Sequence, residues 1–308
     1  MTKVICYSLQ TMQPTHVPRA CVLCLGNFDG VHLAHRALMQ TATELRAHRF
    51  SDAACGAFCF DPPSSDFLLS APPAHLCTRE EKLKKFREAG LEYAFLANFE
   101  ALRDLSPEEY VNEILKDTCH CVAAVCGFNH RFGRGGEGTP ALLSALLDGN
   151  VEIQKEIMHD GEPVSSSRIR ALLTDGKTEA ASTLLTIPYT LTAKVVHGKS
   201  LGHKWGFPTV NQPFPTGKLI PRHGVYVTDC ILPDGTRKRG VSNVGNHPTV
   251  DREANINCET YLFDFDGSLY GEAVTVQFLH FLRPEQKFEN ADALRAQIAL
   301  DLEAARTY

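Results

Sequence analysis

Gly26-Asn27-Phe28-Asp29-Gly30 is followed by His32 and His35, placed i and i+3. An apolar run, a turn holding two glycines and a helical pattern read as strand, turn and helix start, where backbone N–H groups meet phosphate oxygens. On a helix these histidines share a face, so both imidazoles can donate to one anion and stabilise charge developing there. Ser166, Ser167 and Arg168 open another helical pattern, and hydroxyls and a guanidinium near a positive helix end suit a polyphosphate. Farther on, Gly198 and Gly202 allow close backbone approach. Thr209 and Asn211, just past Pro208, offer hard oxygen ligands. Each piece has a plainer reading. The histidines can simply sit near a helix start, the serines can be an N-cap cluster, and "GFNHRFGRGGEG" can be a Gly-rich surface loop. Glu259, opening a strand, can be a solvated charge.

The elements that must hold these residues change character along the chain. In the first half, short apolar runs such as "ACVLCLGNF", "AACGAFCF", "LEYAFLANF" and "CVAAVCGF" alternate with helical patterns. That alternation predicts a parallel sheet with crossover helices. "REEKLKKFREAG" reads as a helix stopped by Gly90, and "SPEEYVNEILKD" as a helix capped by Ser106 with Pro107 first. "VEIQKEIM" reads as one strand. After Ile187-Pro188 come strand-like runs and Asp-Gly turn signals at Asp234-Gly235 and Asp266-Gly267, the marks of hairpins in an antiparallel barrel or sandwich. The tail reads as a helix capped by Asn290, with Leu294, Ile298 and Leu302 on one face. The fold class is α/β followed by β, with domains at 1–184 and 185–308.

With 308 residues, 44% of them hydrophobic, the chain can bury two cores. A net charge of -5 argues against phosphate-driven nucleic-acid binding. The absence of a long apolar run and of a leader pattern predicts no membrane span and a cytoplasmic protein. The eleven scattered cysteines fit reduced thiols better than a disulfide framework. Cys21 and Cys24 form C-x-x-C within a strand, which places them on opposite faces and argues against a shared metal.

"GNFDGVHLAH" resembles the G-x-F-D-G-x-H-x-G-H signature of nucleotidyltransferases, and "VSSSRIR" resembles the I-S-S-T-R-I-R of the adenylyltransferase half of bifunctional riboflavin kinase/FAD synthetases. "GFNHRFGRGGEG" is similar to that family's G-x-D-F-x-F-G loop, with Asn129 in place of an acid and His130 in place of an aromatic. "VVHGKSLGHKWGFPTVN" resembles its kinase signature, with His203 for the usual Arg and Trp205 for the usual Leu. The resemblance covers roughly residues 18–306. It implies a Rossmann-like nucleotidyltransferase domain and a riboflavin kinase β-barrel. One would adenylylate FMN with ATP and the other phosphorylate riboflavin.

By the same resemblance, His32, His35 and Arg168 are catalytic in the first half, and Gly26, Asn27, Phe28, Asp29, Gly30, Asn129, Ser166 and Ser167 bind the nucleotide. Asp61, Phe128 and Arg283 face the flavin. In the kinase half Glu259 is the general base on the riboflavin 5′-hydroxyl, Gly198, Gly202, His203, Pro208, Thr209 and Asn211 bind ATP, and Thr209 and Asn211 also hold Mg²⁺. The implied partners are small molecules, without nucleic acid, membrane or an obligatory protein. Two alternatives stay open: a riboflavin kinase with a weakened adenylyltransferase half, motivated by Ala34, Asn129 and His130, and a non-catalytic flavin-binding regulatory protein.

Overall fold

A computed structural model describes residues 4–9, 17, 19–197, 209–246 and 256–308. The chain divides into two compact units. The first comprises residues 1–73 and 77–165, and the second comprises Ala74–Leu76 with Ser166–Tyr308.

The first unit is built on six parallel strands: β1 (Ile5–Leu9), β2 (Cys21–Leu25), β3 (Ala54–Phe60), β4 (Tyr93–Ala97), β5 (Cys121–Gly127) and β6 (Val151–Gln154). Their order is β1-β4-β3-β2-β5-β6. Every residue of β2 is buried, as expected of a strand covered on both faces. Cys21, Leu23 and Leu25 enter one core with Phe58, Phe95 and Tyr110. Val22 and Cys24 enter the other with Leu38, Met39 and Phe86. The two cysteines of the C-x-x-C motif thus lie on opposite faces, as their spacing requires. From β2 the chain builds outward through β3 and β4 on one side, then returns to lay β5 and β6 on the other. The crevice between the carboxyl ends of β2 and β5 is therefore the switch point at which such sheets bind ligands.

Helix Leu33–Arg49 follows β2 and buries Leu38, Met39, Ala42 and Leu45. Helix Arg79–Glu88 starts in a reciprocal cap between Thr78 and Glu81 and ends near Gly90, whose φ is +82°. Ser106 and Pro107 begin a helix as expected, but from Tyr110 to Thr118 its turns widen to i→i+5. Cys119 N donates to Ile114 O at 2.9 Å in that register. The single strand read in "VEIQKEIM" is two: β6 ends at Gln154, and β7 (Met158–His159) pairs instead with β8 (Glu162–Pro163).

In the second unit, helices Ser166–Thr174 and Thr178–Leu185 precede β9 (Tyr189–Lys194), β10 (Thr209–Pro213), β11 (Gly224–Ile231), β12 (Arg237–Asn246), β13 (Ile256–Leu262) and β14 (Ala273–Arg283). The strand order is β10-β13-β12-β11-β14-β9, all antiparallel. The outer strands meet where Val196 N donates to Asn211 O at 2.8 Å, and Gln212 Nε2 donates to Ala193 O at 2.7 Å, closing the sheet into a barrel. Asp234-Gly235 does turn the β11–β12 hairpin. Asp266-Gly267 does not: β13 pairs with β10 and β12 and β14 with β11 and β9, so the chain between them is a crossing loop. Helix Ala291–Thr307 is capped by Asn290, which accepts from Ala293 N at 2.9 Å, and packs Leu302 and Ala305 on the barrel wall.

Candidate active sites

In the first unit the turn after β2 is held from beneath. Phe28 is fully buried with φ +52°, and its ring meets His35 edge-on at 5.2 Å and Phe86 at 5.4 Å. A Cβ at position 26 would stand 3.3 Å from the Phe28 ring, so Gly26 makes room for that wedge. Gly30 adopts φ +82°. Buried Asp29 accepts from Cys77 N at 3.3 Å, and Gly30 N donates to the Cys77 sulfur at 3.2 Å. From the helix Arg79–Glu88, Lys82 Nζ donates to Asn27 O at 3.0 Å and Lys85 Nζ to Gly30 O at 2.8 Å. Phe28 and Asp29, read as nucleotide-facing, sit in this interior. His32 is the residue just before the helix, and its ring stacks on His35 at 3.7 Å. No acidic residue occupies the first helical turn, which leaves the positive helix end uncompensated. Burial, helped by the charges of His32, Lys82 and Lys85, pushes the His35 imidazole well below its usual value.

A cavity of about 810 Å³ opens at the strand ends beside this turn, lined by Gly26, Asn27, Phe60, Tyr110, Asn129 and His130 among others. Its size suits a cofactor-sized ligand. Asn129 and His130 belong to the turn after β5, closed by His130 N donating to Gly127 O at 3.0 Å. Burial lowers the His130 pKa to about 4, and its ring stacks on Phe132. Phe128 is exposed. Asp61, at the end of β3, pairs with Arg79 at 3.3 Å.

In the barrel, cross-strand register sets the second site. Thr209 pairs with Tyr261 and Asn211 with Glu259, and Glu259 pairs with Asn243 on its other side. Alternation along strands puts Thr209, Asn211, Glu259 and Asn243 on one face. Asn211 is buried, and its Oδ1 has no hydrogen-bond partner among the described residues. A smaller cavity of about 290 Å³ is bordered by Thr209, Leu262 and Tyr270.

Comparisons with known proteins match both units. A family model described as riboflavin kinase matches residues 185–308, and one described as FAD synthetase matches residues 15–168. A bifunctional riboflavin kinase/FMN adenylyltransferase of Listeria monocytogenes is 31% identical over 292 residues, 93% of this chain and 92% of that protein. The chain belongs to the bifunctional riboflavin kinase/FMN adenylyltransferase family. An Escherichia coli protein of the same name is 34% identical over 295 residues, covering 94% of this chain and 92% of its own. A crystal structure described as a macrolide-efflux protein from Streptococcus pneumoniae aligns with a TM-score of 0.90 at 28% identity, over 99% of this chain and 100% of that one. Among the described residues no helix is long and apolar enough to cross a membrane.

Within this bifunctional framework, the structure groups Gly26–Gly30, His32 and His35 at one turn, with Asn129 across the adjoining cavity. It groups Thr209, Asn211 and Glu259 on one barrel face. Ser166, Ser167 and Arg168 open the helix Ser166–Thr174 of the second unit. Gly198, Gly202, His203 and Pro208 lie outside the described residues. Arg283 is committed elsewhere: its Nε and Nη2 donate to Asp301 at 3.0 and 2.8 Å, joining β14 to the last helix. Lys82 and Lys85 hydrogen-bond the first turn, and Asn243 shares the barrel face with Glu259. Lys82 and Lys85 are i and i+3 on a helix full of charge, and only their burial distinguishes them.

Proposed function

We propose that this chain makes FMN in one unit and FAD in the other. The supporting observation is that each unit carries its own phosphate-type site, and each site lies in a region matched by the corresponding family model. The functional boundary is placed at residues 184 and 185. In the barrel, Glu259 accepts the proton of the riboflavin 5′-hydroxyl as that oxygen bonds to the γ-phosphorus of ATP and ADP leaves. Thr209 and Asn211 fit a hard cation, since the buried Asn211 Oδ1 lacks a hydrogen-bond partner among the described residues and amide and hydroxyl oxygens suit Mg²⁺. Bound there, Mg²⁺ supplies positive charge to the phosphates.

In the first unit, an FMN phosphate oxygen attacks the α-phosphorus of ATP and pyrophosphate leaves. The chain needs no nucleophile of its own; it aligns two anions and offsets their charge. His32 and His35 bind phosphate oxygens at the helix start. Ser166, Ser167 and Arg168 are phosphate binders, Asn129 binds the nucleotide, and Phe128 and Asp61 belong to the flavin side. All eleven cysteines are unpaired thiols, which suits a cytoplasmic setting.

Chromatography of products from riboflavin and from FMN, each with ATP and Mg²⁺, tests both halves. Riboflavin should yield FMN and then FAD, and FMN should yield FAD. Glu259→Gln should lose FMN formation by at least about 100-fold while still converting FMN to FAD. Flavin binding without turnover on either substrate defeats the reading in favour of a regulatory binding protein.

A further inference from the structure

Two buried ammonium groups lie beneath the adenylyl turn, and the proposed mechanism does not use them. Lys82 is 6% and Lys85 7% exposed. Lysine is almost never buried without a polar partner, and here Lys82 Nζ donates to the backbone carbonyl of Asn27 and Lys85 Nζ to that of Gly30. Phe86, on the same helix and fully buried, meets the Phe28 wedge edge-on. The helix Arg79–Glu88 therefore grips the turn at three points: one aromatic contact and two charged hydrogen bonds. We propose that Lys82 and Lys85 are positioning residues for adenylyl transfer: they draw the Asn27 and Gly30 carbonyls beneath the turn and set its electrostatics for a polyphosphate. This inference rests on the adenylyltransferase reading of the first unit.

Carbonyl oxygens carry partial negative charge and repel phosphate, so binding two of them from below removes that repulsion where the ligand arrives. Two fixed cations in a water-poor site also attract an anion more strongly than exposed ones do. Burial opposes the Lys82 charge, but its neighbours Cys59, Cys77, Asp29 and Asp61 leave its pKa above the usual lysine value, and since burial keeps the two thiols protonated at neutral pH, the carboxylates are the anions beside it there. It therefore stays an ammonium at neutral pH. Its charge, with those of His32 and Lys85, adds to the effect of burial in keeping His35 neutral. The His35 Nδ1 is buried without a hydrogen-bond partner among the described residues. His35 is thereby held as a neutral imidazole.

Lys82→Gln keeps a hydrogen-bond donor and removes the charge, whereas Lys82→Met removes both. In the full-length chain the His35 ring signal, followed by NMR against pH, should titrate at a higher midpoint in both variants than in the parent. FAD formation from FMN and ATP should fall about tenfold or more in Lys82→Met, with part of the loss recovered in Lys82→Gln. FMN formation by the same chains is the control for folding. If Lys82→Met loses both activities, the His35 midpoint in Lys82→Gln decides. An unmoved midpoint, or wild-type FAD formation by Lys82→Met, overturns the proposal. A parent chain that makes no FAD defeats the adenylyltransferase reading instead, and the His35 titration still decides whether Lys82 sets the local field.

Discussion

Ala34 is the second residue of the helix Leu33–Arg49. The family signature has glycine there, and the departure raised the possibility of a weakened half. A right-handed helix accepts alanine without strain and prefers it to glycine. We therefore expect Ala34→Gly to lower stability by up to about 1 kcal/mol and to raise FAD formation less than about threefold, equivalent to about 0.6 kcal/mol. Thermal unfolding and initial rates check the two parts; a large gain in rate would show that the methyl obstructs the nucleotide. His32 and His35 were legible because a short motif fixes both residue type and spacing. Phe28 and Asp29 were half-legible. The motif marks them, but only the fold shows that they brace the turn from inside. Lys82 and Lys85 were illegible, because a lysine on a charged helix usually lies in solvent, and it is the contact between Phe86 and Phe28 that takes these two out of it.

At the scale of elements, the parallel strands β2 to β5 were readable from continuous apolar runs, and helix starts from Ser106 and Asn290, whereas β1 and the Thr78 cap were not. Local pattern did not determine which strands pair. Asp266-Gly267 sits between two alternating runs, yet barrel closure sends β13 and β14 to different neighbours. Arg283 illustrates the same limit. Motif position assigns it to the flavin, while the structure gives its guanidinium to Asp301, which also accepts from Gln297 Nε2 at 3.0 Å. Side-chain exposures of 18% and 7% mark this as a largely buried pair, and removing one partner of such a pair leaves a charge uncompensated. Asp301→Ala should therefore destabilise the chain by about 3 kcal/mol, seen as an earlier transition in denaturant. If the transition stays put, Arg283 does not depend on the last helix and its flavin role regains ground.

For the molecule as a whole, composition excluded more than it revealed. The acidic balance disfavoured nucleic acid, but no bulk property locates a buried base. His130 and His35 are two such bases in the first unit. Burial lowers the His130 pKa from 6.5 to about 4, and His35 is shifted in the same direction. Between about pH 4 and 6.5, the unfolded chain therefore binds protons at these positions that the folded chain refuses, and stability must rise with pH across that window. Carboxylates act lower down. Hydrogen bonds from Ser106 hold Glu109 below its usual 4.5, so its contribution fades only as the pH falls beneath that value. Acidification from about pH 7.5 to about pH 5 consequently isolates the histidines. Over that interval we expect a loss of at least ~1 kcal/mol, or a fall of about 2–4 °C in the midpoint per kcal/mol. His130→Phe, which keeps a ring to stack on Phe132, should flatten the slope without lowering stability at neutral pH. A slope equally steep in His130→Phe would mean that the imidazole already exchanges protons freely with solvent in the folded chain.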